Sequence, residues 1–195
     1  MLHLSQDPDA DQLLSEEPLA LLIGMVLDQQ VPLEWAFSSP LRLQQRLGGT
    51  LGVADIAGMD PDALLTAFLE PPALHRFPAA NAKRVQELCQ IIVQDYDGDP
   101  ANIWKRARSG DELFRRVKSL PGFGEQKARI FVALLGKQLG VRPPGWEDAA
   151  GQYGQPGTTM SVADITDAES LLRVRAWKQE KKAAAKAAKA GAAGA

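Results

Sequence analysis

The string Phe114-Arg-Arg-Val-Lys-Ser-Leu120-Pro121-Gly122-Phe123-Gly124-Glu-Gln-Lys-Ala128 holds the residue types that a phosphate needs. Gly122 and Gly124 let the backbone approach an anion closely and reach positive φ. Pro121 stiffens the turn. Backbone N–H groups at the start of a following helix point at an anion, and the helix dipole assists them. Lys118, Lys127 and Arg129 add positive charge. The same string would also serve as an ordinary corner between two helices, closed by a glycine cap.

That corner needs two helices to present it, and the hydrophobic pattern supplies them. Asp111 to Ser119 reads as a helix with Leu113, Phe114 and Val117 inward; Gln126 to Leu139 reads as its partner through Ala128, Phe131, Val132 and Leu135. Upstream, Ser15-Glu-Glu-Pro18 reads as a helix start, with Leu19, Leu22, Ile23, Val26 and Leu27 forming one buried stripe that ends at Gln29-Gln30. Residues 33–47 read as two short helical pieces interrupted by Pro40 and closed by Gly48-Gly49. Asp60-Pro61 opens another helix, Ala79 to Tyr96 is a long one with Val85, Leu88, Cys89, Ile92 and Val93 on one face, and Asp97-Gly-Asp-Pro100 is a turn. Residues 142–160 read as an irregular loop, and Asp167 to Lys182 as a last helix that runs into Lys/Ala repeats. No strand emerges, so the expected class is all-α. The expected organisation is a flexible acidic lead-in over 1–14, a helical domain over 15–170 and a Lys/Ala-rich tail over 171–195.

Composition narrows the function classes. With 195 residues and 45% hydrophobic content the chain can build one ordinary core. One cysteine, Cys89, excludes internal disulfides and cysteine-cluster metal sites, and no apolar run approaches membrane-span length. The N-terminus lacks the basic region of a secretory signal. A cytoplasmic, nucleoid-associated monomer with no membrane contact is expected. The net charge of −2 conceals a +7 segment from Asn102 to Arg142, a +6 segment from Arg173 to Lys189 and a −15 remainder. That split suits one face meeting a polyanion, though solvated helix faces would produce it too.

Leu120-Pro-Gly-Phe-Gly124 resembles the hairpin of the helix-hairpin-helix DNA glycosylase superfamily (HhH-GPD). Leu21-Leu-Ile-Gly-Met-Val-Leu-Asp-Gln29-Gln30-Val31 is similar to the apolar helix that precedes the family's DNA-intercalating loop, and Ala82-Lys83-Arg84-Val85 to Val93 to the long helix between the two. The resemblance covers about residues 15 to 140. It implies a two-lobed helical fold with double-stranded DNA in the cleft; the residues themselves add a basic helical tail at the C-terminus. The hairpin, Leu120 through Gly124 with Lys118, Gln126 and Lys127, would hold a phosphate, with an alkali-metal ion coordinated by its carbonyls as a possible helper. Gln29 and Gln30 would supply the wedge that enters the duplex where a damaged nucleotide has flipped out.

The resemblance further implies a carboxylate after the second hairpin helix that stabilises the cationic sugar as the base departs. Asp148 is the first choice and Glu147 the second, while Asp164 and Asp167 fit less well; Asp148 would equally serve as a loop acid capping a turn. Trp146 is the candidate wall for a flipped base. Bifunctional members carry a lysine nucleophile two residues after the last hairpin glycine, where this chain has Gln126. A small, iron–sulfur-free, bacterial-type, monofunctional N-glycosylase is therefore expected, with no side-chain metal site. The alternative is a non-catalytic DNA-binding module that keeps the fold.

Overall fold

The computed structural model describes residues 1–192, and side chains through residue 187. Among them are eleven α-helices, two short 3-10 turns and no strand. The first lobe comprises α1 (Pro8–Glu16), α2 (Pro18–Leu27), α3 (Leu33–Arg46), α4 (Val53–Gly58), α5 (Pro61–Leu69) and α6 (Pro78–Asp95). The second comprises α7 (Asn102–Lys105), α8 (Gly110–Lys118), α9 (Glu125–Gln138), α10 (Trp146–Ala150) and α11 (Ala168–Ala192). In the first lobe α2 packs on α1, α3 and α6; in the second, α8, α10 and a 3-10 turn at Val162–Asp164 pack on α9.

The axis of the first lobe is α2. Every residue from Leu19 to Leu27 is buried, so the helix has no solvent stripe and is core on all sides. Each fully buried leucine, isoleucine or valine there contributes about 1.5–3 kcal/mol. Gly24 makes this possible: a Cβ at that position would lie 2.7 Å from the Phe37 ring of α3. That helix runs unbroken through Pro40, and Gly48 and Gly49, both at positive φ, end the segment that follows it. The expected interruption at Pro40 does not occur.

Residues 1–14, expected to be a flexible lead-in, are folded. Leu2 and Leu4 are buried, and the Asp11 carboxylate accepts from the N–H groups of Leu4 and Ser5 at 2.9 and 2.8 Å. The acid that suggested a solvated segment instead ties its loop down. Residues 8–16 form a helix of their own, capped by Asp7; Ser15, expected to cap the helix starting at Pro18, lies inside it, accepts from Leu2 N–H and donates to the Asp11 carbonyl, and Glu17 stands at the start of α2 without a side-chain cap. The C-terminal boundary also moves. Leu171 and Val174 of α11 are buried, and Arg175 pairs with Glu34 on α3, so the tail expected from residue 171 begins as part of the folded body. Residues 193–195 of the expected tail lie outside the described residues. Val93, expected on the inner face of α6, is exposed, whereas Cys89 is fully buried and its thiol is pushed up to about 12.

Candidate nucleic-acid interface

The hairpin joins α8 to α9. Leu120 and Phe123 are buried anchors, with the Phe123 ring edge-on to Phe131 at 5.7 Å, so only their backbone is free for a ligand. Gly122 has φ +80, and a Cβ there would lie 3.3 Å from Val26 of α2 and 3.6 Å from Arg84 of α6. The hairpin thus presses directly against the first lobe. Gly124 differs from the expectation of positive φ. It is extended, at φ −86 and ψ 177, and caps α9 without a side-chain hydrogen bond. A Cβ on Gly124 would meet no atom within 4 Å. Its need is therefore external: the space beside it is open to an approaching group.

The amides of Gly122, Gly124, Glu125, Gln126 and Lys127 have no acceptor among the described residues. They form the positive end of a 14-residue helix. Lys118 and Arg129 flank them, and both hold Glu125, at 3.4 and 3.1 Å; these bonds lower the Glu125 carboxyl below its usual value, the Arg129 bond most strongly. Two cations are thereby held beside the free amides.

Lys127 leaves this surface. Its Nζ donates to the carbonyls of Met25 and Val26 at 2.6 and 3.2 Å, capping the C-terminal end of α2. Burial brings its amine down to about 8, against the pull of Asp28 in the other direction. Lys127, expected as a phosphate contact, instead bridges the lobes. Gln126 is exposed, and its amide donates to the Tyr153 hydroxyl at 2.9 Å.

The two glutamines divide their roles. Gln29 folds back, its amide donating to the Val26 carbonyl at 3.1 Å, while its own carbonyl meets His75 Nε2 at 2.9 Å. His75 Nδ1 lies 3.0 Å from the Phe77 N–H and 2.7 Å from Asn81 Nδ2. Both are donors, so Nδ1 accepts and Nε2 carries the proton it gives to Gln29. Burial lowers the His75 pKa, which keeps this neutral form at pH 7. Gln30, by contrast, is exposed at φ 57, in the left-handed region. Of the two, Gln30 is the residue presented outward, and Gln29 with His75 and Asn81 forms its mount.

The remaining site residues make no hydrogen bond to the hairpin turn, although the Ala149 carbonyl, next to Asp148, accepts from Arg129 at 3.0 Å. Trp146 packs on Gly136, where any Cβ would collide with its ring, and Arg142 covers it at 5.9 Å. Gly136 is ten residues along α9 from Gln126, about 15 Å at the helical rise. Trp146 is therefore partly buried against the core at the far end of the second hairpin helix, a correction to its reading as a base-pocket wall. Glu147 and Asp148 lie on the exposed face of the short helix α10, opposite buried Ala149 and Ala150. The cause is local: Gly145, at φ 77, starts the turn against α8, and its carbonyl fits beside Gly110 in space that a Cβ would occupy. Asp164 is taken by Lys137 at 2.6 Å, and Asp167 caps α11 through Ser170.

Sequence reasoning missed Arg84 and Asn81. Arg84 carried a signal, a basic doublet with Lys83 near the start of the long helix. Asn81 had none, because it acts through a contact with Gln29, 52 residues away in sequence.

A helical fold whose two lobes meet at a hairpin with free amides, beside a glutamine loop, defines a DNA-binding protein of the helix-hairpin-helix repair class. Residues 23–192 match the family model described as HhH-GPD superfamily base excision DNA repair protein, and the chain belongs to that superfamily. Its role is glycosylase-like, in base excision repair on DNA. No curated protein matches the chain significantly. No helix among the described residues is long and apolar enough to cross a membrane.

Proposed function

We propose that the protein is a monofunctional DNA N-glycosylase that hydrolyses the bond between a damaged base and its sugar and leaves an abasic site. The observation that carries this is Gln126: it occupies the position of the lysine nucleophile in bifunctional relatives, faces outward and bonds Tyr153. An amide cannot form an imine with an opened sugar. Lys127, the neighbouring amine, is committed to two carbonyls of α2.

The hairpin amides hold a phosphate of a duplex, Lys118 and Arg129 supply charge, and Gln30 enters the stack where the nucleotide has left it. The carbonyls of Pro121, Gly122 and Phe123 accept no hydrogen bond among the described residues. They are hard oxygen donors suited to an alkali-metal ion, which would add positive charge beside the phosphate. The protein acts on DNA as a monomer, in the nucleoid of the cytoplasm. The outward placement of Glu147 and Asp148 favours a second reading, a DNA-binding module without catalysis. A glycosylase assay over a panel of damaged duplexes, read with and without alkali, separates the two. Excision revealed only by alkali supports the first; none across the panel, with binding retained, supports the second.

A further inference from the structure

Loss of a base through an oxocarbenium-like sugar calls for an anion beside the sugar. Few carboxylates near the hairpin are available. Glu125 is held by Lys118 and Arg129, Asp164 by Lys137, Asp167 by its own helix start, and Asp148 faces solvent on α10.

Asp28 is different. It caps the C-terminus of α2, its N–H donating to the Gly24 carbonyl at 2.9 Å. Two residues earlier Val26 touches the hairpin at Gly122, and the carbonyls of Met25 and Val26 hold Lys127 of α9. The next residues are Gln29 and Gln30 of the wedge loop. Asp28 therefore stands between the phosphate-binding hairpin and the wedge, which is where a nucleotide held by one and displaced by the other must swing. Its carboxylate is partly buried and has no hydrogen-bond or ion-pair partner among the described residues. Lys178 of α11 and Lys127 act on it only at longer range. Burial raises its pKa above the usual carboxylate value, against the pull of Lys178 and then Lys127. The carboxylate is left without a protein partner but not sealed from solvent, so a cation arriving in the cleft could reach it.

We infer that Asp28 is the catalytic carboxylate, placed against the sugar of the flipped nucleotide. This rests on the glycosylase reading above. In the step, the bond from C1′ to the base nitrogen breaks and its electron pair leaves with the base. A water oxygen bonds to C1′, its proton passes to Asp28, and from there to the departed base. Lys127 and Lys178 are positioning residues that keep Asp28 ionised without neutralising it by contact.

The test needs neither the lesion nor turnover. Two duplexes are compared, one carrying a pyrrolidine nucleotide whose protonated ring nitrogen mimics the cationic sugar, the other a neutral tetrahydrofuran abasic analogue. The wild-type chain should bind the cationic duplex at least about tenfold more tightly. Asp28→Asn should bring that preference to parity while keeping affinity for the neutral duplex and normal helical content. Asp148→Asn should keep the preference. A wild type without the preference, or an Asp28→Asn variant that retains it, overturns the assignment while leaving DNA binding intact. Failure of the wild type to bind either duplex overturns the glycosylase reading itself, and the assignment with it. Where an excised lesion is found, Asp28→Asn should slow excision by about a hundredfold or more.

Discussion

The two hairpin glycines are needed for different reasons, and alanine at each should separate fold from function. At Gly122 the backbone is left-handed, at φ +80, and the methyl would stand 3.3 Å from Val26 and 3.6 Å from Arg84. An L residue held there costs about 1–2 kcal/mol. For a chain of this length each kcal/mol lowers the melting temperature by about 2–4 °C, so Gly122→Ala should melt about 2–8 °C lower. At Gly124 the backbone is extended and nothing lies within 4 Å. Gly124→Ala restricts the unfolded chain at no native cost and should raise stability by about 0.4–1 kcal/mol. The new methyl fills the open space in front of the free amides of α9. A hydrogen bond to a charged group contributes about 1.5–3 kcal/mol, so losing one should weaken duplex binding about tenfold to a hundredfold. Calorimetric melting and fluorescence anisotropy on a short duplex at one fixed salt concentration read both effects. The refuting result is a stable Gly124→Ala protein that binds DNA like the wild type; the open space beside Gly124 would then not be where a phosphate sits.

Borohydride added during reaction with abasic DNA should trap no covalent adduct; one mapping to Lys127 would end the monofunctional reading. Stability should fall as pH drops below about 6.5. His75 has a folded pKa depressed by burial, so its stabilising contribution is complete above the unfolded value and is lost as pH falls through it toward the folded value. His75→Gln should flatten the melting temperature between pH 7 and 5.5, and an unchanged slope would place the titration elsewhere. Truncation after Lys178 keeps the buried residues of α11 and removes Lys181, Lys182, Lys186 and Lys189. It should lower the salt slope of binding by up to about 0.9 for each phosphate that the shortened chain no longer neutralises, leaving lesion preference unchanged; an altered preference would put the tail in the site.

What was legible in the sequence is what local chemistry fixes. The hairpin helices appear at their expected places because Ser109 and Gly124 start them and periodic apolar residues fill one face. The burial of α2 on all sides was hidden, since a fully apolar helix and a one-sided one share the same stripe until a partner closes the other face. Asp11 read as solvating charge for a similar reason: its partners are the amides of Leu4 and Ser5, and a backbone amide carries no signature in the sequence. The carboxylate proposed above was hidden in the same way. Spacing along the chain ran from Gly124 to Asp148, through a loop that Gly145 turns outward against α8. The carboxylate that the fold brings to the hairpin lies almost a hundred residues upstream. Lys127 brings it there by crossing from α9 to the end of α2 and fixing the distance between the lobes. A lysine committed to that bridge is not free to act as a nucleophile, and the bridge leaves Asp28 beside a cation that does not touch it. At this seam the one amine adjacent to Gln126 is committed to α2, and a carboxylate two residues beyond the carbonyl it holds has no ion-pair partner among the described residues.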